Sequence, residues 1–167
     1  MAVLNERVTK SVGNCLPTDV AMNPIIGALV LSQVCVGVYQ ATSRISLYHQ
    51  ARNEADRRGK PLLVVGGPYG GGAIRRVFQL KAHGYGDVCT DIDPKACEGA
   101  LQIVTADITD LPFEDKEFGA VFVGHVFNHL GPAERAMAWQ EVTRVADTVY
   151  HSEQSSLWLL GRIFPNL

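Results

Sequence analysis

The sequence predicts a doubly wound, mostly parallel α/β sheet of about five strands, preceded by a helix of membrane-spanning length. Three observations carry this. Short, wholly apolar runs such as Leu62 to Val65 and Ala120 to Val123 have the pattern of parallel strands buried on both faces. These runs alternate with helical periodicities, the order expected of strand–helix–strand units. Five of the sixteen glycines fall between Gly66 and Gly72, directly after the first apolar run. The length of 167 residues suits one ordinary domain, and 47% hydrophobic against 19% charged residues is enough for a core, which excludes wholesale disorder. A formal charge of −2 supplies no basic field, so nucleic acid is not expected as a partner. Cys15, Cys35, Cys89 and Cys97 form no CxxC pair and no zinc spacing, and read as reduced thiols of a reducing compartment.

The first 19 residues are mixed and polar. Val20 to Ser43 then runs for 24 residues without a charge, and its densest part is Ile25 to Tyr39. At 1.5 Å per residue, a helix over Ile25 to Ala41 covers roughly 25 Å of a bilayer core about 30 Å thick. The competing reading is a buried helix packed on the domain. Arg44, Arg52, Arg57, Arg58 and Lys60 follow the run against Glu54 and Asp56, which favours a span at about residues 24–42. The same flank places the following domain on the cytoplasmic, matrix or stromal side. A cleaved signal peptide fits poorly, because the run starts late and acids precede it. The expected organisation is an N-terminal segment, 1–43, and a domain, 44–167.

Arg44 to Arg58 reads as a helix with Ile45, Tyr48, Ala51 and Ala55 along one face, broken by Gly59-Lys60-Pro61. After the first strand and the glycines, a helix carries Ile74, Val77 and Phe78 and stops at Gly84 and Gly86. Val88 to Ile92 and Leu101 to Thr105 are expected as the second and third strands, and Ala120 to Val123 as the fourth. Pro132 opens a helix with Ala138, Val142 and Val145 on one face, and Thr148 to His151 is a candidate fifth strand.

A buried strand running into glycines and a helix start is the architecture of a nucleotide or anion site. Glycine lets the backbone approach a ligand, and the helix start offers free N–H groups. A phosphate-binding P-loop is excluded, because Ala73-Ile74 stands where Lys-Ser/Thr is needed. The dinucleotide pattern GxGxxG has no in-register match; GxPxG fits at Gly66, Pro68 and Gly70. About twenty residues on, the second strand ends in Thr90-Asp91-Ile92-Asp93-Pro94. Asp91 there can hold both hydroxyls of a ribose or can cap the next helix; Asp93-Pro94 reads as the cap.

The stretch from Ile103 to Leu130, with Asp107 in Ala-Asp, Asp110-Leu-Pro-Phe113, Phe118 and His125 to His129, resembles small class I S-adenosylmethionine-dependent methyltransferases. The resemblance covers roughly Pro61 to Ser152, glycine loop and Asp91 included. It implies a Rossmann-like fold and S-adenosylmethionine as cofactor, but not the methyl acceptor. Carried over by position, Gly66 and Gly70 would line the methionine part of the cofactor and Asp91 would hold the ribose. Asp107 would sit by the adenine amino group, with Ile108 against the ring. Gly67 and Ile92 belong to the same site, and Gly124 and His125 would close it. The alternative for Asp107 is a solvated loop acid, and the acid-rich stretch to Glu117 reads chiefly as a solvated loop.

The chain departs from the family where Val64 replaces an acid, Pro68 replaces the second loop glycine, and Gly119 replaces the acid after Phe118. A Lys-Pro-Gly turn before the fifth strand is missing, and the length leaves no room for the usual sixth and seventh strands. His125 and His129, four apart, are weak catalytic candidates as general bases; a metal pair lacks a third ligand, so no metal is expected. The apolar tail Leu157 to Pro165 suits a membrane interface, a sheet edge or a partner protein equally. Two functions follow. One is a membrane-anchored methyltransferase with an unidentified acceptor. The other is an inactive relative serving as accessory subunit of a larger membrane complex, such as an organellar respiratory assembly.

Overall fold

In a computed structural model of the full chain, residues 24–69 and 81–153 are described. The order is helix α1 (Pro24–Arg58), strands β1 (Leu62–Val65), β2 (Val88–Asp91), β3 (Ile103–Thr105) and β4 (Ala120–Gly124), helix α2 (Pro132–Val145) and strand β5 (Val149–Ser152). Short 3-10 turns follow β2 at Pro94–Cys97 and β4 at Phe127–His129. The five strands form one sheet, order β3-β2-β1-β4-β5, with every neighbouring pair parallel. This is the Rossmann-like doubly wound sheet the apolar runs predicted, each strand lying within two residues of its expected bounds. The helix expected from Ile74 to Phe78, Gly70 of the glycine loop and the tail from Leu157 lie outside the described residues.

The period of two along β1 sorts its side chains into two cores. Leu62 and Val64 face a layer with Ala51 and Ala55 of α1, Cys89, Cys97, Ala120 and Phe122. Leu63 and Val65 face the other, with Val121, Val123, Phe118, Phe127 and the α2 residues Ala138, Val142 and Val145. Both strand faces are therefore buried, as wholly apolar parallel strands require. Helix α2 begins as its sequence suggested: Pro132 occupies the first turn, where its missing N–H costs nothing, and the Glu134 carboxylate accepts from the Gly131 N–H at 2.8 Å.

One sequence expectation needs correction. The apolar run and the amphipathic stretch after it are one continuous helix of 35 residues, not two elements. Nothing between Ser43 and Ile45 breaks a helix, and Ala41, Leu47 and Ala51 all favour one. The helix ends where predicted, at Gly59, whose φ of +65° suits the left-handed cap. By internal contacts the chain divides into two compact units after Ser32, inside α1. In the second unit α1 is fixed to the sheet by Arg52, whose guanidinium reaches Asp87 at 2.7 Å while Asp87 also accepts from the Leu62 N–H at 2.7 Å. Buried Glu54 accepts from Arg57 and Arg58, and Arg58 and Lys60 both reach Asp147.

This docking explains Gly119. A Cβ there would lie 3.0 Å from the Ala55 Cα and 3.1 Å from the Lys60 Cβ, so the family's acid has no room beside α1. Gly119→Asp should lower stability by about 1–3 kcal/mol from overpacking. Urea unfolding should show it as a lower midpoint at unchanged slope; a midpoint equal to wild type would contradict the packing account.

Candidate functional site

Because all five strands run the same way, their carboxyl ends converge on one edge, and the order reverses between β1 and β4. Gly66 leaves β1 at φ +87°, a conformation that favours glycine, and its N–H donates to the Thr90 carbonyl at 2.9 Å. A Cβ on Gly66 would lie 2.5 Å from the Gly124 carbonyl oxygen, so the ends of β1 and β4 meet over bare backbone. Gly67 packs directly on the Ala96 carbonyl, leaving no room for a side chain there either. Pro68 is fully buried, and its carbonyl accepts from the Ala82 N–H at 2.9 Å.

Asp91, half-buried at the end of β2, holds this loop. Its Oδ2 accepts from the Gly67 N–H at 2.8 Å and its Oδ1 from the Asp93 N–H at 2.9 Å. A carboxylate offers about four lone-pair positions, so two remain for ligand hydroxyls. Asp93 caps the following turn by accepting from the Lys95 N–H at 3.0 Å, with Pro94 in its first position. Ile92 stands 69% exposed between them.

Cys89 and Cys97 are joined in a disulfide, with Cα atoms 5.8 Å apart. This corrects the reading of both as free thiols. Spacing rules alone missed it, because the reversal at Asp93-Pro94 folds the turn back onto its own strand. The bond holds the turn whose Ala96 carbonyl supports Gly67 and accepts from the Tyr69 N–H at 3.4 Å.

Asp107 follows β3, in the strand next to β2. Its Oδ1 accepts from both the N–H and the hydroxyl of Thr109, at 2.9 and 2.8 Å, which hold the carboxyl below its ordinary range. The acid is exposed, and its Oδ2 has no hydrogen bond among the described residues. Ile108 is a correction: the same Asp107–Thr109 turn points it inward, where it is 4% exposed in the α2-side core rather than available to a ring. The exposed apolar side chain at this edge is Ile92.

At the end of β4, a Cβ on Gly124 would lie 2.6 Å from His83 Nε2, so glycine admits the buried His83, which packs on Phe122 and Tyr48. His125 adopts φ +58°, uncommon for a side chain of its size, and its N–H donates to the Ser152 carbonyl at 3.1 Å. His129 lies in the 3-10 turn Phe127–His129 and is exposed. The α-helical register that would put His125 and His129 on one face is therefore absent, because His125 precedes the turn in a left-handed conformation.

Two features escaped the sequence reading. Arg144 ties the Leu-Pro-Phe loop to α2: its Nη1 donates to the Phe113 carbonyl and Asp115, its Nη2 to the Leu111 carbonyl and Glu141, all between 2.7 and 2.9 Å. Phe127, Trp139 and His151 cluster with ring centroids 5.9 to 6.0 Å apart. Leu111, Phe113 and Asp115 lie about thirty residues before Arg144, so no local spacing signalled the first. The second joins three elements and had none in the chain order.

The site residues offer hydrogen-bond acceptors and close backbone approach to a polar ligand. Asp91 and Asp107 supply open carboxylate oxygens at adjacent strand ends, and Gly66 and Gly67 supply bare backbone. The family described as a methyltransferase domain matches residues 67–148. A Mycobacterium ulcerans protein named "Probable phthiotriol/phenolphthiotriol dimycocerosates methyltransferase 2" is 36% identical over 85 residues, 46% of this chain and 32% of its own length. The fatty-acid O-methyltransferase of Mycolicibacterium smegmatis is 38% identical over 84 residues, 46% of this chain and 30% of its own. The chain thus spans about a third of the length of these relatives. The crystal structure of the PH0226 protein from Pyrococcus horikoshii OT3 aligns with a TM-score of 0.38 at 22% identity, over 52% of this chain and 44% of that one.

Two outcomes test these assignments. Alkylation of the denatured, unreduced protein should leave the Cys89 and Cys97 peptides unlabelled in a mass spectrum while Cys35 reacts; labelled Cys97 would remove the bond. For the loop, Glu141 is held below its ordinary 4.5 first by Arg144. Its stabilising contribution is therefore present above about pH 4.5 and lost as pH falls through the lower folded value. Arg144→Ala should cost about 1.5–3 kcal/mol at neutral pH, the range for charged hydrogen bonds, and should flatten this acid limb of the stability curve.

Proposed function

We propose, from the premise that this chain is a class I S-adenosylmethionine-dependent methyltransferase family member over residues 67–148, that it is a membrane-anchored methyltransferase. The observation that carries the cofactor assignment is the convergence of Gly66-Gly67, Asp91 and Asp107 on the ends of three adjacent parallel strands. When bound, the cofactor supplies an activated methyl group for in-line attack by an acceptor nucleophile. The chain's own residues hold and orient it. Asp91 would accept from the ribose hydroxyls with its two remaining lone-pair positions, Asp107 Oδ2 would accept from the adenine amine, and Ile92 would offer an apolar contact to the ring. Gly66 and Gly67 admit the amino-acid end. His125, on the β4 end, takes the proton from the acceptor.

Anchoring rests on α1. Its 20 residues from Pro24 to Ser43 carry no charge and would extend about 30 Å at 1.5 Å each. None of the 18-residue window with the highest hydropathy is buried, unlike the core helix of a soluble domain. Ile25, Leu31, Val38 and Tyr39 are all more than half exposed. The arginines after Ser43 support a domain on the cytoplasmic, matrix or stromal side. The buried disulfide pulls against that assignment, since such bonds are rare in reducing compartments. We follow the arginine flank, because Cys89 and Cys97 are both buried away from soluble thiols. The relatives' names, a fatty-acid and a phthiotriol-type methyltransferase, support an acceptor presented from the lipid phase.

Calorimetric titration of detergent-solubilised protein with S-adenosylmethionine and its demethylated product tests the cofactor site. Micromolar binding is expected, weakened at least tenfold in Asp91→Asn, which keeps one acceptor oxygen for the Gly67 loop. An absence of heat and of thermal stabilisation at millimolar ligand would sink the reading.

A further inference from the structure

Beyond the β4 and β5 ends lies a groove of about 580 Å³ that the cofactor reading does not use. Its wall is the aromatic cluster of Phe127, Trp139 and His151, drawn from the turn after β4, from α2 and from β5. His151 stands at 87° to Phe127 and at 90° to Trp139, each at a centroid separation of 6.0 Å. Two ring planes at right angles and that far apart leave a corner in which a cation can lie within about 6 Å of both faces. Phe127 is buried and fixes the cluster to the core, while Trp139 is 45% exposed and opens it to a ligand.

The charges around this corner are the second observation. Arg135 and Glu153 both line the groove. Neither forms an ion pair with the other or with any other described residue. Arg135 is nonetheless held in place: its Nη2 donates to the carbonyls of Phe127 and Leu130 at 3.0 and 3.5 Å. That leaves the rest of its planar fork for an anion. An opposite pair that lines one groove without joining is complementary to a ligand carrying both charges. A lone anion would meet Glu153, and a lone cation would meet Arg135. An uncharged apolar ligand would leave both in place without a partner.

We propose that this groove binds a zwitterion of the phosphocholine type, its methylated ammonium against Trp139, His151 and Glu153 and its phosphate on Arg135. A methylated ammonium is the cation of choice here because it is weakly hydrated, so the rings need not strip a tight water shell. The same chemistry occurs in a soluble phosphocholine and in a lipid headgroup. The site requires no S-adenosylmethionine, so its test stands apart from that of the cofactor crevice.

The full chain, solubilised in a maltoside detergent, is titrated calorimetrically with phosphocholine and with 3,3-dimethylbutyl phosphate, an isostere that keeps the phosphate but has a neutral carbon in place of the ammonium nitrogen. Phosphocholine should bind at least about tenfold more tightly than the isostere. Trp139→Leu should lose about tenfold or more, and Glu153→Gln about threefold or more. Both should keep the wild-type thermal melt, since Trp139 and Glu153 stand outside the core. Displacement of phosphocholine by phosphatidylcholine nanodiscs, but not phosphatidylglycerol nanodiscs, would support the site and assign it to a headgroup; no displacement by either, with phosphocholine bound, would support it as a site for soluble ligand. Equal binding of the isostere, or no heat at about 20 mM phosphocholine, would overturn the proposal. So would unchanged affinity in Glu153→Gln.

Discussion

Burial of β1 and β4 on both faces is the constraint from which the rest of the molecule follows. Leu62 to Val65 and Ala120 to Val123 are essentially without solvent exposure, so each face of the sheet needs a covering layer. Helix α1 supplies one through Ala51 and Ala55, small residues that allow close approach, and α2 supplies the other through Ala138, Val142 and Val145. Complete covering confines ligand chemistry to the strand ends. Gly66 and Gly124 meet there because nothing larger fits between β1 and β4.

The departures from the family pattern take on a packing meaning in this light. An acid at position 64 would sit in the core that α1 closes, where Val64 is fully buried. Gly119 lies under the Ala55 backbone. Both substitutions accompany a long helix docked on the sheet by the Arg52–Asp87 pair and by Arg58 and Lys60 on Asp147. On the proposed reading, Val64 leaves the cofactor's amino group one partner fewer, while Asp91 and Asp107 would still be there for the ribose and adenine.

The strand-end edge carries two chemically different regions. On the β3-β2-β1 side are carboxylates and bare backbone, which can accept hydrogen bonds and admit close approach. On the β4-β5 side are aromatic faces beside Arg135 and Glu153, neither of them ion-paired among the described residues. His125 lies where the two adjoin, its N–H joined to Ser152 between the pocket residues His151 and Glu153. The left-handed backbone of His125 turns the chain from β4 into the aromatic turn.

Local pattern determined the sheet. Uninterrupted apolar runs specify buried strands, glycines and prolines mark their ends, and the face carrying Ala138, Val142 and Val145 was legible because a helix repeats every 3.6 residues. Asp91, Asp93 and Asp107 were legible for a similar reason: their meaning depends on standing at the end of a strand or the start of a turn. Only the tertiary structure decided what depends on distant segments meeting. The Cys89–Cys97 bond needs the chain to fold back at Asp93-Pro94, and the inward aim of Ile108 needs the Thr109 turn. The space denied to a side chain at Gly119 comes from α1, more than sixty residues earlier. The corner of Phe127, Trp139 and His151 joins a turn, a helix and a strand, so no single helical or strand repeat links its members. Contacts of that kind arise from where the sheet carries each element, and no short-range pattern encodes them.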